Sequence, residues 1–573
     1  MSMSRREFLQ VLAAAAAGGF ALDSRLALAG NAPAGYYDVP AFGNVSLMHM
    51  TDCHAQLLPI YFREPNVNLG VGEALGKVPH LVGEHLLKHF NIKNGSIDAH
   101  AFTYLDFEAA SRTYGKVGGF AHLKTLVDKV RASRPGSLLL DGGDTWQGSA
   151  TALWTNAQDM VDACIALGVD VMTPHWEMTY GAQRVQEIVN GDFKKAGVDF
   201  VAQNVVTNDF GDQVFKPYVM RVINGVQVAI VGQAFPYTPV ANPRWMIPDW
   251  SFGIRDDGMQ KWVDEARAKG AQVVVVLSHN GMDVDLKMAN RVTGIDAIFG
   301  GHTHDGVPQP IQVKNAKGVT LVTNAGSNGK FLGVMDFDVK DGKVKGWKYR
   351  LMPVFSNLLP ADAKMDALIK KIRAPFEAKL NEKLAVTEGV LYRRGNFNGT
   401  YDQMICDALM KVKGADAAFS PGFRWGTSLL SGDVITMEKL MDQVAITYPQ
   451  TTLTDMTGET IHTIMEDVCD NLFNADPYYQ QGGDMVRVGG IQYTIDPNKT
   501  IGKRITDMTL KGKAVDPNKK YKVAGWAPVG EGVQGAPIWD VVAEYLRDVK
   551  VIKPVKLNQP KVVGMGGNPG MVL

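Results

Sequence analysis

A net charge is what this chain most plainly lacks: across 573 residues, 59 lysines and arginines offset 59 aspartates and glutamates. No overall field therefore recommends a nucleic acid or an anionic membrane as partner. Cysteine is scarce too. Cys53, Cys164, Cys406 and Cys469 show neither close pairing nor the spacing of a cysteine metal site. Whether they bridge or pack as small buried thiols stays open, with packing the expectation. Beyond the first residues no apolar run reaches the ~20 positions a membrane span needs, and no internal repeat is visible. What is present, 46% hydrophobic and 21% charged residues, is ordinary globular composition in a chain too long for one core, so two or three domains are expected.

Ser4-Arg5-Arg6-Glu7-Phe8-Leu9 precedes an alanine-rich run and the A-x-A site Ala27-Leu28-Ala29. This reads as a twin-arginine export signal over residues 1–29, cleaved before Gly30. The apolar stretch from Val11 to Leu22 is too short to anchor the chain. A periplasmic monomer, exported folded and with its cofactor in place, is the expectation.

From Asn44 to Pro353 short apolar runs alternate with helical or loop segments: VSLMHM (45–50), SLLL (137–140), VDVM (169–172), DFVAQ (199–203), VQVAIVG (226–232), QVVVVLS (272–278) and IDAIFG (295–300). Runs this apolar imply sheets covered on both faces, hence a layered α/β domain over residues 30–360. Residues 361–385 carry Met365, Leu368, Ile369, Ile372 and Phe376 at helical spacing, with Pro375 as a kink, and read as a linker helix. Residues 386–573, with turn signals in GGIQYTIDPNK (489–499) and KAVDPNKKYKVAGW (513–526), read as an α+β domain.

Nearly every polar cluster follows one of the apolar runs, where ligands bind in such sheets. TDCH offers Asp52 and His54, DGGD offers Asp144, PHWE offers His175, SHNG offers His279, and GGHTH offers His302 and His304. Each alone is weak, since a single Asp-x-His is more often a capped turn. Together they supply a bridging carboxylate, a second carboxylate and several imidazoles, which is what two divalent ions about 3.5–4 Å apart require.

In that order these motifs resemble the calcineurin-like metallophosphoesterases. GKVGGFAH (115–122), PHWEMTYG (174–181), AQNV (202–205) and SPGFRWGTSLLSGDVIT (420–436) extend the resemblance to their two-domain 5'-nucleotidase branch. The resemblance implies a four-layer α-β-β-α catalytic domain followed by the 5'-nucleotidase-type α+β substrate domain. It also implies one metal on Asp52, His54, Asp144 and His304 and another on Asp144, His175, His279 and His302, with Asp144 bridging and holding the hydroxide expected to attack. The family turn is usually G-N-H-E-x-D-x-G. Aligned on Glu177 and Gly181, it puts His175 at the ligand asparagine and Trp176 at the catalytic histidine. Five histidines with two carboxylates suit manganese, iron or zinc better than magnesium or calcium.

The missing acid argues for a leaving group that needs no proton. An alkoxide gains about 10²–10⁴-fold from general-acid help, whereas a thiol with a pKa of about 8.5 leaves as its anion. Within the branch this is similar to the thiosulfohydrolases of periplasmic sulfur oxidation, which implies two manganese ions and a carrier protein presenting a substituted cysteine on its C-terminal arm. Alignment of ITYPQTTL (446–453) and GDMVRVGG (483–490) puts Pro449 and Met485 where nucleotidases stack the base. Arg424 stands where the family holds substrate, Arg112 is a second candidate for an anion, and Trp176 a third contact. The alternatives are a 5'-nucleotidase or cyclic-nucleotide phosphodiesterase, and a metal-binding component of a sulfur-oxidising complex without turnover. His80, His85 and His89, in the long segment Leu57–Tyr114, are expected to serve the core or surface.

Overall fold

The strand Val273–Ser278 shows why the first part of the chain stacks in layers. All of it is buried, and alternate side chains serve opposite sides: Val273, Val275 and Leu277 join the core between the two sheets, while Val274 and Val276 join the core beneath the outer helices. The period of two in side-chain direction makes this partition automatic, and each buried valine contributes about 1.5 kcal/mol or more of transfer free energy. Val228 and Ile230 face one core and Ala229 and Val231 the other in the same way.

The computed structural model describes residues 33–571, so the export signal read over 1–29 lies outside the described residues. Two six-stranded sheets pack face to face. The first has the order 343–353, 331–340, 45–50, 138–141, 171–172, 199–200, and the second 311–315, 318–324, 297–300, 273–278, 226–233, 218–223. The inner strands run parallel. Helices Phe120–Ala132 and Gln158–Leu167 cover the first sheet and Asp256–Ala268 and Met282–Arg291 the second, completing a four-layer α-β-β-α domain. VDVM and DFVAQ contribute less strand than their composition suggests, forming strands over Val171–Met172 and Asp199–Phe200 with an isolated bridge from Val201 to Lys216.

The connecting helix runs Ala363–Arg373, capped by the Asp362 carboxylate on the Met365 amide at 2.8 Å. A 3₁₀ turn at Ala374–Phe376, with Pro375 inside it, interrupts the helix before Glu377–Leu380. Met365 and Ile369 bury its inner face. Beyond it lie sheets ordered 451–457, 520–526, 417–420, 487–489 and 513–514, 505–510, 491–495, 561–562, with helices Thr400–Lys413, Gly458–Phe473 and Ile538–Val549. The segment after the first strand crosses to this domain: the Leu69 amide donates to Asn396 Oδ1 at 2.6 Å and the Asn68 amide to the Gly570 carbonyl at 2.7 Å. All four cysteines are buried and free. Among the described residues no helix is long and apolar enough to cross a membrane.

Candidate metal centre

Every cluster singled out in the sequence sits just past a strand, and the loops there turn in an unusual way. Asp52, His54, Asp144, His302 and His304 all have positive φ, between 45° and 72°. Left-handed backbone at residues other than glycine costs about 1–3 kcal/mol each and is kept where the surroundings over-determine it. Here the loops brace one another. The Asp52 amide donates to the Gly143 carbonyl and the His54 amide to the Asp144 carbonyl, each at 2.8 Å. The His302 amide donates to the Asp52 carboxylate at 3.0 Å. Gly143 has no room for a side chain, since a Cβ would meet the Thr173 carbonyl at 2.4 Å.

Glu177, inside the PHWE turn, is fully buried and accepts from the amides of Asp144, Thr145, Trp146 and His175. One carboxylate thus ties the Asp144 loop to the His175 loop. Asp141 stands behind them, accepting from the Gly143 amide and the Thr145 hydroxyl, and burial lifts its pKa to about 8. Neither supporting role follows from the motif pattern alone. For Glu177 the signal existed, because an acid two residues after a ligand in a tight turn faces several free amides.

The fold brings all seven expected ligands into two groups that share Asp144: Asp52, His54, Asp144, His304 and Asp144, His175, His279, His302. All are buried, and within each group the ligand atoms lie within 4.8 Å of one another. His54 Nε2 faces His304 Nε2 at 3.0 Å, and His304 Nε2 lies 3.2 Å from Asp52 Oδ1. His279 Nε2 is 3.0 Å from Asp144 Oδ2, and His175 Nε2 is buried with no hydrogen-bond partner. Converging imidazole nitrogens and carboxylate oxygens, several without a proton donor between them, fit a pair of divalent cations. Burial would raise Asp144, but His175 and His279 outweigh it and hold the carboxylate well below its usual range. His279 moves the other way: Asp144 and Asp52 overcome its burial and lift it to about 10.

A cavity of about 730 Å³ opens from this centre between the domains, lined by His54, Asp144, His175, Trp176, His302 and His304 on one side and by Phe423, Arg424, Trp425 and Trp526 on the other. Trp176 donates its amide to Asp144 Oδ1 at 2.8 Å. Its indole lies parallel to Tyr448, 6.2 Å away, and edge-on to Trp425 at 5.1 Å and Phe423 at 5.2 Å. Arg424 donates to Asp484 Oδ1 at 3.2 Å and to the Gly483 carbonyl at 2.5 Å, while its Nη1 is buried without a partner beside the cavity.

The structure does not bring Arg112 here. Its guanidinium is exposed and engaged with Glu108 at 2.7 Å, one helical turn away, and with the Ser431 carbonyl at 3.2 Å. An i,i+4 acid on an open helix face was the stronger attraction. Met485 is wholly buried in a core of the second domain, and Pro449 accepts a backbone bond from Ile538. Aromatic rings nevertheless reach the cavity, from Phe423, Trp425 and Trp526. His80 is buried between Asn68 and Asp283, away from the metal groups. Arg394 escaped the sequence reading: it is buried, with Nε and Nη1 unpartnered, beside a smaller cavity that Arg424 also lines.

Comparison with known proteins places these features. The 5'-nucleotidase C-terminal domain family matches residues 384–542. Human 5'-nucleotidase is 24% identical over 502 residues, which is 76% of this chain and 84% of that protein. Among solved structures, the Thermus thermophilus sulfate thiohydrolase SoxB superposes with a TM-score of 0.87 at 34% identity, covering 92% of this chain and 98% of that one. A 5'-nucleotidase precursor, also from Thermus thermophilus, shares the fold, with a TM-score of 0.71 at 21% identity over 91% of this chain and 99% of its own.

Proposed function

Because this chain belongs to the SoxB branch of the calcineurin-like 5'-nucleotidase family, whose members are metal-dependent hydrolases, we propose that it is a periplasmic dimanganese thiosulfohydrolase. Its substrate is the cysteine S-thiosulfonate of the carrier protein SoxYZ, from which it removes the terminal sulfonate as sulfate. The observation that carries this reading is Trp176, whose indole N–H is too weak an acid to protonate a leaving group, standing beside a metal-ligand set that is otherwise complete.

When bound, two cations would acidify a water and neutralise the anionic sulfonate. The residues of the chain do the rest. Asp52, Asp144 and the histidines would hold the ions, their ligand atoms already gathered in two groups that share Asp144. Arg424 presents its free Nη1 to the sulfonate, whose anionic oxygens accept from a guanidinium. In the reaction an oxygen–sulfur bond forms at the sulfonate and the adjoining sulfur–sulfur bond breaks. Water supplies the oxygen, sulfate departs, and the carrier keeps a persulfide whose electron pair came from the broken bond. That group is acidic enough to leave as an anion, so Trp176 has no proton to deliver. The apolar wall made by Phe423, Trp425 and Trp526 suits the arm that bears the cysteine better than it suits a highly charged ligand.

A second reading, nucleotide hydrolysis, draws on the 5'-nucleotidase relatives and on the same three rings. Manganese-loaded protein incubated with carrier S-thiosulfonate and separately with AMP separates the two. Sulfate from the first and no phosphate from the second is expected; brisk phosphate without sulfate would replace the proposal by the nucleotidase. Asp144→Asn and His279→Ala should each abolish sulfate release, and unchanged turnover in both would exclude this centre as the catalytic site.

A further inference from the structure

His302 packs against Phe235, His175 and His279 of its own domain, but its ring nitrogen meets a partner from the other one. Its Nε2 lies 3.0 Å from the carbonyl oxygen of Gln481, in the loop that follows helix Gly458–Phe473. A carbonyl only accepts, so the ring nitrogen facing it carries the proton. The approach is possible because the next residue is Gly482, with φ of 71°. A Cβ there would meet His302 Nε2 at 2.4 Å and Cδ2 at 2.7 Å.

The other metal group is tied across the domains as well: His54 Nδ1 faces the Gln147 carbonyl at 3.2 Å, and the Gln147 side chain donates to the Ala445 carbonyl at 2.6 Å.

We propose that the C-terminal domain is a positioning element of the metal centre: the Gln481 carbonyl fixes the tautomer and ring orientation of His302, leaving Nδ1 to the cation, and Gly482 is the residue that permits it. The proposal rests on the dimetal reading of the centre. Hydrogen bonds from a metal-binding histidine to an outer partner typically carry 10–100-fold in metal affinity.

The test uses the full chain with manganese(II) alone as probe, its binding measured by competition with a fluorescent chelator. The unaltered protein should take up two ions. Gly482→Ala should bind one of them 10–100-fold more weakly and the other as before. Gly483→Ala is the matched control: its φ is 79°, but the nearest atom to its Cβ is the Gly422 carbonyl oxygen at 3.7 Å. It should keep both affinities. Parental binding by Gly482→Ala, or equal loss in Gly483→Ala, would overturn the proposal; fewer than two ions on the unaltered protein would remove the dimetal reading with it. A measurement on the unaltered protein is independent of how the variants fold. Because coupling is reciprocal, manganese should slow amide hydrogen exchange in residues 480–484, and unchanged exchange there would refute it.

Discussion

Trp176 combines two roles that a single substitution can separate. As packing it fills the space between Trp425, Phe423 and Tyr448; as chemistry it withholds a proton. Trp176→Phe keeps an aromatic ring and removes only the weakly acidic indole N–H, so sulfate release should stay within about tenfold of the parent in a direct sulfate assay. A fall of about 10²–10⁴-fold, the size of a lost general acid, would show that the indole takes part. His80 and Asp283, paired at 2.9 Å, permit a pH prediction. Burial would lower His80, but Asp283 outweighs it and the imidazole is raised; burial would raise Asp283, but His80 pulls it below its ordinary value. The raised histidine stabilises the fold fully below its unfolded pKa of about 6.5 and loses that contribution as pH climbs through its folded value. The lowered aspartate contributes above about 3.9 and fails as pH drops through its own folded value. Denaturant titrations of His80→Gln should therefore show their largest deficit against the parent between about pH 5 and 6, shrinking as pH rises through the raised folded value. A deficit that grows with pH would contradict the pairing. The ligand side chains were legible in the sequence because each follows an apolar strand. Their left-handed backbone was not, since glycine is the usual sign of positive φ and these positions are aspartate and histidine. Arg112 looked available only because the sequence does not show which face of its helix carries Glu108.

The elements differ in how strongly their sequences mark them. Strands buried on both faces stand out as continuous apolar runs. The hairpin of Phe331–Lys340 and Lys343–Pro353, which completes the edge of the first sheet, went unread although Asp341-Gly342, both at positive φ, is a strong turn signal. The connecting helix was legible down to its break at Pro375. Its anchor was not: Arg373, at the helix end, pairs with Glu438 of the second domain, and both are largely buried. Pairing over such a sequence distance has no local pattern. Glu438→Ala leaves that guanidinium with only Glu377, 3.5 Å from its Nε, and should cost about 1–3 kcal/mol, less than for a fully buried pair because the site is partly open to solvent. A lower urea midpoint would register it, and an unchanged midpoint would mean that water replaces the carboxylate.

On the scale of the whole molecule, the two domains share one centre rather than merely flanking it. Besides the bond from His302 to Gln481, the Asn328 side chain donates to the Gly426 carbonyl at 3.3 Å and the Thr447 hydroxyl to the Thr179 carbonyl at 2.7 Å. Ions that bind only the folded chain stabilise it by mass action. Removal of metal by a chelator should accordingly lower the melting temperature, and manganese should restore it in a concentration-dependent way; identical melting with and without chelator would argue against resident ions. The layered domain followed by a smaller one could be read from the chain, whereas their joint enclosure of the site depends on contacts hundreds of residues apart.

The aromatic cluster also makes the protein its own optical instrument. Trp176 lies 5.6 Å from the ring of His175, and Trp425 stacks on His54 at 5.7 Å, one indole beside each half of the centre. Arrival of a cation changes the local field on both, so ultraviolet emission from the unlabelled protein reports how full the centre is, and Trp176→Phe and Trp425→Phe tell which half is responding.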